Sequence, residues 1–119
     1  MSLRQFAEYV KERLQVPMVR IVGNENSTVS KVAVLGGDGN KYIHIAKRAG
    51  ADVFVTGDMY FHVAQEAQAI GLNIVDPGHH VEKVMIKGVK EKMTSLCQEN
   101  KLDVEFIESE VNTEPFIFI

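Results

Sequence analysis

The stretch from Ala51 to Gly71, ADVFVTGDMYFHVAQEAQAIG, decides the fold class. It contains a strand pattern over Val53–Thr56 that is apolar up to Val55, then a glycine–aspartate turn, and then a helical pattern over Tyr60–Ile70 that ends at Gly71. A strand that is apolar at every position is typical of a parallel sheet with both faces covered. The stretch therefore predicts one strand–turn–helix unit of an α/β protein.

The same unit occurs on either side of this stretch. Upstream, Val32–Leu35 predicts a strand and Asn40–Ala49 a helix; downstream, Asn73–Asp76 predicts a strand and His79–Glu99 a longer helix. Strands that alternate with helices in this way are joined by right-handed crossovers. We therefore predict one α/β domain over residues 1–119, with alternating strands and helices around a mainly parallel sheet.

Segments outside the repeated unit complete the predicted core. Ser2–Leu14 predicts an amphipathic helix capped by Ser2, and Met18–Val22 and Leu102–Ile107 predict short strands. Cys97 is expected in the core, and the apolar end Pro115–Ile119 is expected to pack onto a core or a partner. The apolar stripe of the last helix is also expected to be buried; its members are Val81, Val84, Met85, Val89, Met93 and Leu96.

Composition excludes several classes of protein. The chain is 45% hydrophobic and 24% charged, which is typical of a globular domain. Its net charge of −3 and its lack of a basic block disfavour nucleic acid as a partner. A single cysteine excludes an internal disulfide, and no apolar run reaches the roughly 18–20 residues of a membrane span. Because apolar and charged residues alternate over Ser2–Arg13, we expect no signal peptide. We expect a cytoplasmic domain with no membrane partner.

Polar turns follow all three predicted parallel strands. They are Gly36–Gly39, Gly57-Asp58 and Pro77–His80. In a parallel sheet such turns emerge at the carboxyl edge, where open α/β sheets bind their ligands. The sequence therefore predicts a functional site at this edge, built from glycine, carboxylate and imidazole.

The GGDG turn fits two interpretations. Gly37 and Gly39 would let backbone N–H groups approach a phosphate at a helix start. Asp38 would repel an anion unless a metal or its own backbone hydrogen bonds absorb its charge, and no P-loop lysine follows. The alternative is that the glycines only allow a tight turn.

Asp58 and His62 lie four residues apart, and they would share a helical face if the helix begins near Asp58. A carboxylate that orients an imidazole suits proton transfer or support of a metal ligand. The alternative is that Asp58 caps the helix and His62 has no special role.

His79 and Glu82 are the strongest candidates for metal ligands. They lie three residues apart on the first turn of the predicted last helix. Imidazole and carboxylate suit Zn²⁺, Mn²⁺ or Fe²⁺, although two donors do not complete a site. The alternative is that Glu82 interacts with the helix dipole while His79 and His80 cap the turn.

Four ordered segments resemble the Nif-three family, which includes the bacterial GTP cyclohydrolase 1 type 2 homologues. They are VAVLGGDG, ADVFVTGDMYFHVAQEA, GLNIVDPGHHVEK and VNTEPFIFI, and the resemblance runs from about Val32 to Ile119. It implies two related α/β halves with a centre of two divalent metal ions between them. It also implies homo-oligomeric rings, commonly hexamers.

The resemblance covers only the carboxyl half of such proteins. The amino half, which supplies a paired-histidine motif and an aspartate to the metals, has no counterpart here, so we expect a part of a longer protein. Many relatives place the metal-binding glutamate four residues after the histidine, whereas Glu82 follows His79 by three. His80 is therefore the alternative ligand.

The resemblance implies a metal-dependent hydrolase that opens the imidazole ring of the guanine of GTP. His79 and Glu82 would hold metal, His62 would shuttle a proton, Asp58 would orient it, and the GGDG turn would lie near the phosphates. Whether the isolated chain is an enzyme stays open, and we expect it to be inactive because the amino-terminal ligands are absent. The alternative function is a non-catalytic metal-binding or protein-interaction module.

Overall fold

Four strands form the sheet, and a computed structural model describes all residues from 1 to 119. The strands are β1 (Arg20–Val22), β2 (Val32–Asp38), β3 (Val53–Gly57) and β4 (Asn73–Asp76). The α-helices are α1 (Leu3–Leu14), α2 (Ile43–Arg48), α3 (Phe61–Ala69) and α4 (Met85–Glu99). Short 3₁₀ helices at Asn40–Tyr42 and His79–Val84 precede α2 and α4.

The strand order is β1-β4-β3-β2. Strands β2, β3 and β4 are parallel to one another, and β1 pairs with β4 in the antiparallel direction. The prediction of an α/β fold with a mainly parallel sheet is confirmed. Both ends of the sheet are edge strands, so one backbone side of β2 and one of β1 are unpaired.

Alternate residues of the central strands pack on opposite faces of the sheet. Val53, Val55 and Val75 pack against α1, whose buried residues are Leu3, Ala7 and Val10. Phe54 and Ile74 face the other way, into a cluster that includes Ile43, Ala46 and Ala67 of α2 and α3. Because both faces are covered, β3 is buried along its whole length, as parallel strands in α/β proteins are.

Strand β2 is longer than the sequence pattern indicates. Gly36, Gly37 and Asp38 belong to the strand, so the predicted turn at Gly36–Gly39 is wrong. The register between β2 and β3 shifts after Val34 and resumes where Asp38 pairs with Gly57. This irregularity accommodates the glycines within β2, so the strand does not end at them.

The last helix differs from its prediction in two ways. Residues His79–Val84 are 3₁₀ and only Met85–Glu99 are α-helical. The predicted burial of its stripe is wrong apart from Val81, since the other five members are between 37% and 58% exposed. Periodicity shows that a helix is amphipathic but not that a partner covers it, and α4 packs mainly against the preceding 3₁₀ turn. Cys97 is buried, as predicted.

The segment after α4 has no regular structure, so the predicted strand Leu102–Ile107 is wrong. Five apolar residues of this segment are at least 67% exposed: Ile107, Val111, Phe116, Ile117 and Ile119. The apolar end therefore does not pack onto the core of this chain, and its packing onto a partner stays a prediction. None of the helices combines the length and the apolar character that a membrane span requires.

Candidate functional site

Three ionisable side chains meet at the carboxyl edge of the sheet. Asp58 directly follows β3, His79 begins the 3₁₀ turn after β4, and Glu82 lies one turn further on. The Nδ1 atom of His79 lies 2.7 Å from Asp58 Oδ2, and its Nε2 atom lies 3.3 Å from Glu82 Oε2. One imidazole is thus held between two carboxylates, and all three side chains are about half exposed.

Strand β2 also reaches this site, at Gly37, where it contributes backbone atoms but no side chain. A Cβ atom on Gly37 would lie 2.7 Å from Glu82 Oε1 and 3.3 Å from His79 Nε2, and Gly37 has a φ of +67°. Only glycine fits this position without displacing the two side chains. Gly39 has a different reason to be glycine, because its Cβ would lie 2.8 Å from the Phe54 ring. Contact of either glycine with a phosphate stays a prediction.

The charge around His79 favours a cation. The hydrogen bond to Asp58 raises the pKa of His79, and the negative charges of Asp58, Glu82 and Asp38 raise it further, against a smaller opposing effect of burial. The site therefore holds a proton on the ring more firmly than an isolated histidine does. A metal ion would replace that proton with a larger positive charge.

Asp38 is kept ionised beside the site. Its carboxylate accepts the backbone N–H of Asn40 at 2.9 Å, the Asn40 side-chain amide, and the Tyr60 hydroxyl at 2.9 Å. These bonds, with the Asn40 backbone first, lower the pKa of Asp38, and the same carboxylate raises the pKa of Tyr60. The negative charge of Asp38 is thus partly compensated by its own turn.

His62 does not join the site through a shared helical face. Helix α3 begins at Phe61 with Tyr60 as its N-cap, so Asp58 lies outside the helix and that part of the prediction is wrong. Asp58 is not the cap either. His62 Nδ1 lies 3.1 Å from Gln65 Oε1, and its ring packs edge-on against Phe61. A role for His62 in proton transfer stays a prediction.

The donor set fits part of a metal site. An ion about 2.0–2.2 Å from both an imidazole nitrogen and a carboxylate oxygen, at a near-tetrahedral angle, requires these atoms to be about 3.3–3.6 Å apart. His79 Nε2 and Glu82 Oε2 meet this condition, and no such contact involves His80. No group of three or more histidine, cysteine, aspartate or glutamate side chains is arranged to hold an ion. The chain itself therefore offers two donors.

The sequence analysis missed the pairing of Asp58 with His79. The two residues are 21 positions apart, but each follows one of two neighbouring parallel strands, and that shared position was the available signal. The contact of Tyr60 with Asp38 had no comparable signal, because it depends on how the turn after β3 bends.

The model of the family Duf34/NIF3 (NGG1p interacting factor 3) matches residues 1–115. The match therefore begins well before Val32 and includes α1 and β1. Among curated relatives, a GTP cyclohydrolase 1 type 2 homolog of Bacillus subtilis is 59% identical over all 119 residues. This chain covers 32% of that protein's length. The chain thus spans about a third of the curated relatives it matches.

Solved structures agree with this relationship. A Bacillus cereus protein related to NIF3 is 57% identical and has a TM-score of 0.94, with all of this chain and 33% of that chain aligned. Staphylococcus aureus protein SA1388 is 39% identical with a TM-score of 0.96, over all of this chain and 39% of that chain. On the evidence of its sequence and its fold, the chain belongs to the Duf34/NIF3 family.

Proposed function

We propose that this chain supplies two ligands, His79 and Glu82, to the divalent metal centre of a hydrolase. The observation that carries the proposal is the 3.3 Å separation of His79 Nε2 and Glu82 Oε2, with the opposite ring nitrogen hydrogen-bonded to Asp58. Zn²⁺, Mn²⁺ and Fe²⁺ all accept such donors. The other ligands would come from outside these 119 residues, and two ions would bind in the complete protein.

The residues of this chain would each have a defined part in such a centre. A bound divalent ion lowers the pKa of its water towards neutrality and so provides a nucleophile. His79 would release its Nε2 proton and keep its Nδ1 proton, which it donates in a hydrogen bond to Asp58, while Glu82 would offset part of the positive charge of the ion. Gly37 would keep the space beside both ligands free of side-chain atoms.

The substrate class follows from the relatives and not from this site. Curated relatives carry the name GTP cyclohydrolase 1 type 2 homolog, so we propose GTP as the substrate of the complete protein, with hydrolytic opening of the guanine imidazole ring. We also propose a homo-oligomeric ring and a cytoplasmic location. With two donors, the 119-residue chain should show no turnover of GTP with added Zn²⁺ or Mn²⁺. Turnover at the rate of a full-length relative would contradict this proposal.

Metal binding is tested by equilibrium dialysis against ZnCl₂ or MnCl₂ followed by elemental analysis. The test variant is His79→Ala/Glu82→Ala. A matched control is His44→Ala/Glu66→Ala, because His44 and Glu66 form another exposed histidine–glutamate pair, 2.7 Å apart, away from the site. We expect the unaltered chain and the control to retain metal and the test variant to lose it. Equal binding by all three proteins would contradict the proposal.

A protein-interaction module is the second candidate function. It is favoured by the exposed apolar residues of α4 and of the segment after it, which are more numerous than the scattered apolar residues of an ordinary protein surface. The convergence of Asp58, His79 and Glu82 favours the metal centre instead. Absence of metal from the unaltered chain in the dialysis experiment would make the interaction module the preferred function.

A further inference from the structure

We propose that Asn40 is a positioning residue for His79 and acts on it through Asp58. Asn40 begins the 3₁₀ turn after β2 and is 6% exposed. Its side-chain amide donates to the Asp58 carbonyl at 2.9 Å and to the Asp38 carboxylate, and its side-chain oxygen accepts the Tyr60 N–H at 2.9 Å. One buried side chain therefore ties the turn after β2 to the turn after β3.

The turn that Asn40 holds has an unfavourable backbone conformation. Asp58 has a φ of +53°, in the left-handed region, which residues other than glycine seldom occupy and which aspartate and asparagine tolerate better than most. Asn40 binds the carbonyl of Asp58 and the N–H of Tyr60, two residues later, so it fixes both sides of Met59. Without these bonds the turn can relax towards a more common conformation, and the Asp58 carboxylate would move away from His79.

The position of Asp58 determines which nitrogen of His79 carries a proton when the ring is neutral. An ionised carboxylate only accepts hydrogen bonds, and of the two carboxylates beside the ring only that of Asp58 is within hydrogen-bonding geometry, at 2.7 Å against 3.3 Å for Glu82, so we expect the neutral ring to carry its hydrogen on Nδ1. The lone pair is then on Nε2, the atom that faces Glu82. Asn40 thus acts on the tautomer and orientation of His79 without contacting the ring.

The link from this tautomer to metal binding rests on the proposed function, whereas the tautomer itself does not. Loss of a group that orients a metal-binding histidine costs about 10–100-fold in metal affinity. We therefore expect Asn40→Ala and Asp58→Asn to weaken Zn²⁺ binding by a factor in this range.

The first experiment measures the His79 tautomer in metal-free protein by long-range ¹H–¹⁵N NMR, at a pH above the titration of the ring. The unaltered chain should show the Nδ1–H form. Asp58→Asn should show a mixture, because an amide can donate as well as accept, and asparagine tolerates the left-handed backbone. Asn40→Ala should also show a mixture. Tyr60→Phe is the matched control, since it removes only the hydroxyl bond to Asp38 and should leave the tautomer unchanged.

The outcomes separate the inference from the proposed function. An unchanged Nδ1–H form in folded Asn40→Ala, or an equal mixture in Tyr60→Phe, would overturn the inference. If circular dichroism shows that Asn40→Ala does not fold, Asn40→Ser decides, because it removes the amide donor to Asp58 without placing a second carboxylate beside Asp38, and an unchanged Nδ1–H form in it would overturn the inference. Tautomer changes as expected, in a chain that binds no Zn²⁺, would support the positioning role and make the interaction module the preferred function.

Discussion

Gly37 makes a sharp test of the site because its replacement affects two side chains at once. In Gly37→Ala the new Cβ would lie 2.7 Å from Glu82 Oε1, and alanine would be strained at a φ of +67°. We expect the free energy of unfolding in urea to fall by about 1–2 kcal/mol. Zn²⁺ binding should weaken as well, because the Glu82 carboxylate must move.

Gly88 provides the control for this substitution. It lies in α4, and a Cβ there would meet no other atom within 4 Å. Gly88→Ala should raise the free energy of unfolding by up to about 1 kcal/mol through helix propensity. Equal effects of the two substitutions would show that Gly37 has no special place in the site.

Tyr60 has a measurable effect on Asp38. Removing the hydroxyl in Tyr60→Phe should raise the pKa of Asp38 part of the way to its ordinary value, because the Asn40 bonds contribute more and remain. A lowered pKa in the folded protein means that the carboxylate stabilises the fold above the unfolded pKa and loses this effect as the pH falls through the folded pKa. In the variant the folded pKa of Asp38 should lie closer to the unfolded pKa, so this stabilisation should be lost over a narrower pH interval.

Carboxyl ¹³C NMR titration checks the Asp38 prediction. Tyr42→Phe is the control, since Tyr42 is also exposed and its hydroxyl contacts no carboxylate. An Asp38 titration that is the same in both variants would show that the Tyr60 hydroxyl does not stabilise the carboxylate in solution.

Strand β4 and helix α4 each contain a valine at an apolar position, but only the valine of β4 is covered. Val75 is fully buried, whereas Val89 is 47% exposed. Val75→Ala should lower the free energy of unfolding by about 2 kcal/mol, and Val89→Ala should change it by less than about 0.5 kcal/mol. Urea unfolding measures both. A cost for Val89→Ala close to that for Val75→Ala would mean that the exposed face of α4 is covered in solution.

How far the sequence predicts an element depends on how local its causes are. The Ser2 cap of α1 and the apolar run of β3 are local signals, and both elements lie where they were predicted. The glycines of β2 are usual turn residues, and their place in a strand depends on pairing with β3, 19 residues away. The same holds for the site. The spacing of His79 and Glu82 in the sequence was enough to predict them as a pair, but the contact of Asp58 with His79 depends on how the sheet folds.

Across the whole molecule, the polar candidate site and the exposed apolar surface lie in different places. Acidic and imidazole side chains gather at one edge of the sheet, while large apolar residues remain exposed on α4 and on the segment after it. Exposed apolar surface of this extent favours association. The chain covers about a third of the length of its curated relatives, and under the proposed function both the remaining ligands and the contacts that cover this apolar surface would come from outside these 119 residues.

The segment after α4 should therefore drive association without stabilising the fold. Its ion pair with the helix, Lys90 with Glu108 at 3.6 Å, is exposed and is worth at most about 1 kcal/mol. A variant that ends at Asp103 keeps the bond from Leu102 N–H to the Cys97 carbonyl. We expect its free energy of unfolding to change by less than about 1 kcal/mol, and sedimentation velocity should show less self-association.

A second variant separates apolar surface from charge in this prediction. Ending the chain at Asp103 removes four glutamates and shifts the formal net charge from −3 to +1, which could itself alter association. Phe116→Ser/Ile117→Ser/Phe118→Ser removes apolar area at constant charge. Both variants should stay monomeric at concentrations at which the unaltered chain associates. If only the shortened chain changes, the association depends on charge or on apolar residues that the triple variant keeps, such as Ile107 and Val111, and not on residues 116–118. If unfolding shows a large loss of stability in either variant, the segment packs on the core.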